Sequence, residues 1–320
     1  EKVVVFADRH HIIYDSVFDN QNKNRILVHR IGGIKFFRRR NKVKEIKLLV
    51  ESQKVKLVIA DSWKSLELVI DYLNLKQVPS VSLAHGNELL SKNKYKINRF
   101  KTTLNKVSSI ITNSFFTKNL VENYILPNIP VKVVYPGASD LRKIQETVVD
   151  DVEGDPILLT LSRLEKRKGH IHIINCIKKI LPQFPNIKYI IAGEGPEKKN
   201  LKNLVAKLNL KKNIKFVGKI NDHQKKYVFS KTDLMVMPTL DESKKSSIEG
   251  FGIVYLEAAF FGIPSIASNV GGTPEAVLHK KTGIIIDNIN ELYDAINNLL
   301  NNTKYLKELG NQAKNRAIDE

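Results

Sequence analysis

The stretch 248–277 has the sequence IEGFGIVYLEAAFFGIPSIASNVGGTPEAV and contains two apolar runs, each next to glycines. The first run predicts a buried helix that begins near Phe251 or Gly252. The second run predicts a strand at 264–268, and the glycine pair after it predicts a turn into another helix that starts at 273–274. A helix, a strand, a glycine turn and a further helix are typical of an α/β domain with a parallel sheet.

The same alternation of apolar run, turn and helical pattern extends on both sides of this stretch. In the first half it predicts strands at 2–7, 25–29, 56–60, 79–84, 109–112 and 131–135. In the second half it predicts strands at 157–161, 187–192, 214–217, 233–237, 264–268 and 283–286. Helices are predicted in the first half at 40–52, 64–73, 92–106 and 115–123. In such folds ligands bind at the carboxyl ends of the strands, so we expect the site residues to lie there.

The length of 320 residues exceeds the size at which one hydrophobic core usually stops growing. The segment 136–156 is acidic and rich in turn-forming residues, which is typical of a connection between domains. We therefore predict a first α/β domain at 1–139, a linker at 140–155 and a second α/β domain at 156–320.

The net charge of +19 first points to nucleic acid or an anionic membrane as a partner. Lysine is abundant along the whole chain, together with Asn and Ile, which favours a compositional bias over a concentrated binding surface. No segment approaches the run of about 18 apolar residues that a membrane span needs. The single cysteine, Cys176, lies in an apolar helical pattern, which predicts a buried thiol in a reducing compartment.

Two cations follow the predicted strand at 157–161. Arg163 comes just after the strand and Lys168 just before the next helix, so a turn can direct both at one ligand. A guanidinium and an ammonium suit a diphosphate and would stabilise it as a leaving group. The alternative is a solvated surface turn, which is the commoner role of such a pair.

Two carboxylates flank the start of the predicted helix in the deciding stretch. Glu249 lies just before it and Glu257 lies within it, so the two are separated by roughly 10 Å, about the distance from a nucleotide's ribose to its sugar ring. The free N–H groups at the helix start favour a phosphate or a sugar hydroxyl. Alternatively Glu249 is a favourable charge at the helix N-terminus. Glu257 has apolar neighbours, Leu256 and Ala258, where a carboxylate without partners is costly, and this favours a binding role.

Several motifs together resemble one enzyme family. In order they are SRLEKRKG, AGEGP, NIKFVGKI and EGFGIVYLEAAFFGIPSIASNVGGTPEAV, with AHGNE at 84–88 in the first half. They resemble the retaining glycosyltransferases of family 4, and most of all the branch with the phosphatidylinositol mannosyltransferases. The resemblance implies the α/β fold named GT-B, in which two Rossmann-like domains have parallel sheets that face an interdomain cleft.

The resemblance also implies roles for individual residues. The predicted catalytic residues are Glu249 at the transferred sugar, Arg163 and Lys168 at the donor diphosphate, and His85 facing the donor sugar from the first domain. The predicted donor-binding residues are Glu257 at the ribose, Ile220 at the nucleotide base, and the backbone of Gly250, Phe251, Gly252 and Ile253 at sugar or phosphate. A lone histidine such as His85 is more often structural, so its role depends on the resemblance.

The implied activity is transfer of a hexose from a nucleotide diphosphate sugar, with a donor like GDP-mannose favoured over a UDP-sugar. The acceptor would be a hydroxyl group of a lipid or a cell-envelope glycan, and the anomeric configuration would be retained. We expect no cofactor and no metal, since the chain has no Asp-x-Asp pair. Alternatives are a sugar-nucleotide epimerase or phosphorylase on the same fold, a relative that binds without turnover, and a basic nucleic-acid-binding protein. The last leaves the two glutamates unexplained, so nucleic acid is not an expected partner.

Two basic stretches, 34–49 and 91–101, interleave aromatic residues with cations. They suit the surface of an anionic membrane, and equally a solvated helix face. The implied location is cytoplasmic, with peripheral binding to the inner face of the plasma membrane. Family members open with a strand and a glycine-rich loop and close with a helix that crosses back to the first domain. Because neither is evident here, we expect sequence to be missing before Glu1 and after 316–320.

Overall fold

The computed structural model describes residues 2–10, 12–243 and 247–320, without the side chains of 12–14. The chain forms two compact units. The first comprises 1–84, 91–112 and 121–132, and the second comprises 85–90, 113–120 and 133–320. The segments 85–90 and 113–120, which lie inside the predicted first domain, therefore cluster with the second unit. The predicted domain boundaries stay predictions.

The strands of the first unit form two sheets. The bounds are β1 Val3–Asp8, β2 Ile26–Ile31, β3 Val58–Ala60, β4 Ser80–Ala84, β5 Ser109–Thr112 and β6 Val131–Val133. Strands β1 and β2 pair in parallel, and the other four form a sheet in the order β3-β4-β5-β6. The pairs β3–β4 and β4–β5 are parallel, as the sequence predicted.

The helices of the first half differ more from prediction than the strands do. Their bounds are α1 Ile12–Asn22, α2 Lys35–Ser52, α3 Trp63–Leu66, α4 Ile70–Leu75, α5 Lys94–Leu104 and α6 Phe115–Glu122. Helix α1 was not predicted, and α2 begins five residues earlier than predicted. The single helix predicted at 64–73 is two helices, because Val69 leaves the helical conformation at φ −124° and ψ −14°.

The second unit contains a six-stranded sheet in the order β12-β11-β10-β7-β8-β9, and every neighbouring pair is parallel. The strands are β7 Ile157–Leu161, β8 Lys188–Ala192, β9 Ile214–Gly218, β10 Leu234–Met237, β11 Ser265–Ser268 and β12 Gly283–Ile286. The helices are α7 His170–Ile180, α8 Lys198–Lys207, α9 Asp222–Lys231, α10 Ile253–Phe260, α11 Thr273–Ala276, α12 Leu292–Asn301 and α13 Thr303–Asp319. The helix expected at Phe251 or Gly252 begins at Ile253.

Both faces of this sheet are buried. Alternate strand residues belong to two different hydrophobic clusters. Leu158 is in the cluster that contains side chains of helices α7, α8 and α12, whereas Leu159 is in the cluster that contains side chains of α9 and α10. A parallel sheet with both faces covered has nearly continuous apolar strands, which explains why its strands were predictable from short apolar runs. Leu141 and Val152, in the predicted linker, pack in the second cluster.

Helix α13 packs closely against the turn after α10. A Cβ atom at Gly310 would lie 2.0 Å from the carbonyl oxygen of Gly262. Replacing a glycine inside a helix by alanine usually stabilises by about 1 kcal/mol. Here the contact leaves no room for the methyl group, so we expect alanine to destabilise the protein instead of stabilising it.

We predict that Gly310→Ala lowers the thermal unfolding midpoint by about 5 °C, which corresponds to about 2 kcal/mol in a unit of this size. Gly137→Ala is the control, because a Cβ at Gly137 has no atom within 4 Å. Calorimetry or circular dichroism measures both variants. A midpoint that rises in Gly310→Ala would show that the helix is not constrained at this contact.

Candidate functional site

Two loops meet where neighbouring strands β7 and β10 end. The loop after β7 forms a 3-10 turn at Lys166–Lys168 and then Gly169, whose φ of 73° is unfavourable for other residues. A Cβ at Gly169 would lie 2.4 Å from the carbonyl oxygen of Pro238, which follows β10. The amide of Leu240 donates to the carbonyl of Arg167 at 2.6 Å. The backbone thus joins the two loops directly.

A buried ion cluster lies at this junction. Lys168 is only 7% exposed, and its Nζ donates to Oε2 of Glu249. Arg167 Nη1 lies 3.3 Å from the same oxygen, and its Nε donates to Oε2 of Glu165 at 3.0 Å. The structure therefore brings together Lys168 and Glu249, two of the predicted catalytic residues. It adds Arg167 and Glu165, which sequence reasoning missed although both stand in the same quoted motif.

Burial dominates the electrostatics of Lys168. Removal from water lowers the pKa of its ammonium, and the neighbouring Glu249 carboxylate only partly opposes this. An ammonium in such surroundings needs an anionic partner, because an unpaired buried charge is costly. Chemically, the cluster offers cationic hydrogen-bond donors in a place from which water is largely excluded.

Arg163 lies at the exposed edge of this cluster and does not contact Glu249. Its side chain is 76% exposed and pairs with Oε1 of Glu165 at 2.9 Å. Glu165 therefore holds Arg163 on one oxygen and Arg167 on the other. The predicted pairing of Arg163 and Lys168 at one ligand stays a prediction, since they are linked here only through this chain of contacts.

The segment from Glu249 to Gly252 is fixed by close backbone packing. A Cβ at Gly250 would lie 2.3 Å from the carbonyl oxygen of His85, and one at Gly272 would lie 2.1 Å from the carbonyl oxygen of Gly250. The amide of Gly272 also donates to the carbonyl of Glu249 at 2.9 Å. Gly252 caps α10 with a φ of 97°, a conformation that favours glycine. The glycines thus hold Glu249 next to the start of the helix.

Of the predicted backbone contacts at this helix start, Phe251 is 3% exposed and Ile253 is 45% exposed. The Phe251 ring packs against Tyr135 with a centroid distance of 5.1 Å. Only the backbone of this segment was predicted to bind, and the burial of Phe251 explains the apolar side chain at that position. Whether these N–H groups bind a ligand stays a prediction.

His85 belongs to a loop that contacts the same segment. Its amide donates to Oε1 of Glu88 at 2.6 Å, and Oδ1 of Asn87 accepts from the amide of Ile248 at 2.7 Å. The His85 side chain is exposed. The structure therefore places His85 beside Gly250 through its backbone, and the role of its imidazole stays a prediction.

Glu257 is the fifth residue of α10 and forms a second ion pair. Its Oε1 accepts from Nζ of Lys225 at 3.0 Å, and the same ammonium lies 3.2 Å from Asp222. Burial lowers the pKa of Lys225, but the hydrogen bonds and charges of Glu257 and Asp222 outweigh it, so the pKa is raised overall. Sequence reasoning missed Lys225, because a lysine among many gave no signal. Ile220, the predicted base contact, is 9% exposed and packs in the core below α9.

Among residues 2–10, 12–243 and 247–320, no three His, Cys, Asp or Glu side chains lie close enough together to hold a metal ion. Within the same ranges, no helix combines the length and the apolar character needed to cross a bilayer.

Comparison with known proteins identifies the family. Residues 142–316 match the family described as "Glycosyl transferases group 1". The chain belongs to this family. The match covers the sheet from β7 to β12 and both ion pairs.

Among the relatives of this chain is the GDP-mannose-dependent alpha-(1-6)-phosphatidylinositol monomannoside mannosyltransferase of Mycolicibacterium smegmatis. It is 30% identical over 166 residues, which are 51% of this chain and 44% of the relative. The match thus spans less than half of that protein. An uncharacterized glycosyltransferase of Methanocaldococcus jannaschii is 28% identical over 95% of this chain and 83% of its own length.

Solved structures show the same fold. HepE of Anabaena in complex with UDP has a TM-score of 0.78 at 19% identity, over 99% of this chain and 95% of that one. Sucrose-phosphate synthase of Thermosynechococcus elongatus has a TM-score of 0.74 at 18% identity, over 99% and 94%. The predicted α/β fold of the GT-B class is confirmed.

A buried histidine supports the loop of the ion cluster. His170 Nε2 lies 3.2 Å from the Ser162 hydroxyl, and Nδ1 lies 3.1 Å from the Tyr189 hydroxyl. Burial lowers the pKa of His170 to about 4 from an ordinary value of 6.5. Between these values an unfolded chain binds the proton and the folded chain does not, so stability is lost as the pH falls through this window.

We predict that His170 accounts for about 3 kcal/mol of the stability lost between pH 6.5 and 4, from 1.36 kcal/mol per pKa unit. In His170→Gln the pH dependence of the free energy of unfolding should be flatter by this amount, even if the variant is less stable at neutral pH. Urea titrations across the window measure it, and His10→Gln, at an exposed histidine, is the control. An unchanged slope in His170→Gln would refute the prediction.

Proposed function

We propose that this protein binds a nucleotide diphosphate sugar at the Lys168–Glu249 cluster and transfers its hexose to a hydroxyl acceptor. The observation that supports this most directly is the pairing of Lys168, nearly inaccessible to water, with Glu249 at the carboxyl ends of β7 and β10. Parallel α/β sheets bind ligands at this edge. Membership of the glycosyl transferases group 1 family supports the same reaction class.

In this proposal the two ends of the donor occupy different parts of the second unit. Lys168 and the exposed Arg163 bind the diphosphate and stabilise its charge as the bond to the sugar breaks. Glu249 accepts hydroxyl groups of the sugar, and the N–H groups of Phe251, Gly252 and Ile253 at the start of α10 bind sugar or phosphate. Glu257 accepts the ribose hydroxyls, and Ile220 lies under the base.

The proposed reaction retains the anomeric configuration and needs no metal. The acceptor oxygen forms a bond to the anomeric carbon on the face from which the diphosphate leaves, and the acceptor proton passes to the leaving phosphate oxygen. Lys168 and Arg163 supply the positive charge that the departing diphosphate needs, and His85 contacts the donor sugar. Turnover that is unchanged in excess EDTA would agree with this scheme.

The donor we favour is GDP-mannose, because the mannosyltransferases among the relatives are named as dependent on it. A UDP-sugar is the alternative, since HepE was solved with UDP and with UDP-glucose. Calorimetric titration with GDP and with UDP separates the two. The acceptor class, a lipid or a cell-envelope glycan, is likewise drawn from the phosphatidylinositol glycosides named for those relatives.

Helix α2 supports a membrane-bound acceptor. It has no buried residue, and apolar side chains at its start are largely exposed: Ile34 by 72%, Phe36 by 57% and Phe37 by 56%. The guanidinium of Arg40 lies 3.9 Å from the centre of the Phe36 ring. Aromatic residues next to cations suit the headgroup region of an anionic bilayer, so we propose peripheral binding to the cytoplasmic face of the plasma membrane.

We predict that Lys168→Met lowers turnover by a hundredfold or more, in line with about 3–4 kcal/mol for one lost transition-state donor. Methionine keeps the apolar stem, so packing is preserved while the charge is lost. Lys166→Met is the matched control, because Lys166 lies in the same 3-10 turn and is exposed. Transfer is measured with radiolabelled donor, and near-normal turnover in Lys168→Met would exclude the assignment.

The products of the same assay separate the rival activities. A glycosylated acceptor supports transfer, a free sugar phosphate would indicate a phosphorylase, and an epimerised donor would indicate an epimerase. Tight binding to random DNA, lost at high salt, would instead favour a nucleic-acid-binding protein.

We predict that the wild-type chain co-sediments with vesicles rich in phosphatidylglycerol at low salt and much less at high salt, because salt screens the attraction. The double variant Phe36→Ser, Phe37→Ser should lose most of this binding through lost apolar contact with the bilayer. Leu75→Ser, at a residue 78% exposed on α4, is the control. Equal binding by all three proteins would place the membrane contact elsewhere, and no binding by the wild-type chain would exclude it.

A further inference from the structure

The ion pair between α9 and α10 contains Lys225, which has no role in the proposed donor site. Glu257 is assigned to the ribose, yet its Oε1 already accepts a hydrogen bond from Lys225 at 3.0 Å. Both side chains are mostly withdrawn from water, with exposures of 14% for Glu257 and 21% for Lys225. This contact is therefore partly buried, unlike an ion pair on the open surface.

Lys225 is itself held in place from a second side. Asp222, one turn earlier on α9, lies 3.2 Å from the same ammonium. The start of α9 is fixed by a capping box, in which the Asn221 side chain accepts from the Gln224 amide and Gln224 accepts from the Asn221 amide. A cation on a capped helix, with two carboxylate partners, has little freedom to move.

As a consequence, one of the two carboxylate oxygens of Glu257 is occupied by the hydrogen bond from Lys225. Among the described residues, Oε1 is bound to Lys225 and no hydrogen bond reaches Oε2. A carboxylate fixed through one oxygen presents the other in a defined direction. Because the side chain is already ordered, less conformational entropy is lost when a ligand binds. Glu249 is held in the same way, since Lys168 and Arg167 both contact its Oε2.

We propose that Lys225 is a positioning residue that fixes the Glu257 carboxylate and so makes this site select a ribose over a 2′-deoxyribose. The inference rests on the proposed function, because it takes the ligand of Glu257 to be the sugar of a nucleoside diphosphate. Lys225 acts through Glu257 and need not touch the nucleotide.

The charge state of Lys225 supports this role. Burial acts to lower its pKa, but its two carboxylate partners outweigh that effect and raise it, so the ammonium stays protonated at neutral pH. Without the ammonium, Glu257 would be a partly buried carboxylate among apolar neighbours of α10. It would then turn toward water or take up a proton, and either change removes a well-placed acceptor for a ribose hydroxyl.

The test compares four proteins in calorimetric titrations: the wild-type chain and the variants Lys225→Met, Lys225→Arg and Lys231→Met. Each is titrated with GDP, 2′-deoxy-GDP, UDP and 2′-deoxy-UDP. Of GDP and UDP, the one that the wild-type chain binds more tightly should bind about tenfold more tightly than its 2′-deoxy form, as the loss of one hydrogen bond would give. In Lys225→Met this ratio should fall below about threefold, with most of the loss in the ribonucleotide affinity.

The other two variants separate positioning from general effects. Lys225→Arg should restore at least part of the ratio, because it replaces the cation. Lys231→Met removes the same charge from an exposed position at the end of the same helix and should keep the wild-type ratio. Thermal unfolding of all variants checks that each is folded.

The outcomes that overturn the inference differ from those that overturn the proposed function. Lys225→Met with the wild-type ratio, or with equal weakening of both nucleotide forms, would exclude the positioning role while leaving the donor site intact. A wild-type chain that binds the ribo and deoxy forms equally would also exclude it, because Glu257 would then not contact the 2′-hydroxyl. A wild-type chain that binds none of the four nucleotides would contradict the proposed function itself.

Discussion

The contact on which the site depends is the one between Lys168 and Glu249. Lys168 is only 7% exposed, so its ammonium is stable only beside an anion, and that anion comes from a loop 81 residues further along the chain. The loops after β7 and β10 are therefore coupled: neither can move far without leaving a buried charge unpaired. The adjacency of these strands in the sheet makes the contact possible, and the six-stranded order places no other strand between them.

Around this contact, glycines set the distances. Gly250 lies between the backbone of His85 and that of Gly272, with no room for a Cβ on either side. Three segments far apart in sequence thus meet through main chain rather than through side chains. These backbone contacts fix the main chain at Glu249, and the ion pairs with Lys168 and Arg167 hold its carboxylate, so the residue is fixed at both ends.

The sequence predicted the strands well and the helices of the first half less well, for physical reasons. The strands of the six-stranded sheet are buried on both faces and are therefore short apolar runs bounded by turns. The predicted strands of both halves agree with the structure within two residues at each end. Helix α1 lacks a clear apolar stripe, since the adjacent Val17 and Phe18 are both about half exposed, and the break at Val69 has no glycine or proline to mark it. Glu249 and Lys168 were recognisable from their motifs. Arg167 and Lys225 were not, because lysine and arginine are abundant here and only the fold shows which of them face a carboxylate.

The order of strands in the larger sheet also bears on how the molecule acquires its site. Strands β7, β8 and β9 follow one another in the chain and in the sheet, whereas β10 pairs with β7 across about 75 residues, as in the pairing of Leu234 with Leu158. Closing so long a loop costs entropy before any contact compensates for it, so we expect this pairing to form late in folding. The lysine and the glutamate belong to the two sides of that late pairing. A chain in which only β7 to β9 have formed would thus contain Glu165, Arg167 and Lys168 without Glu249, and the buried ion cluster is complete only when β10 pairs with β7.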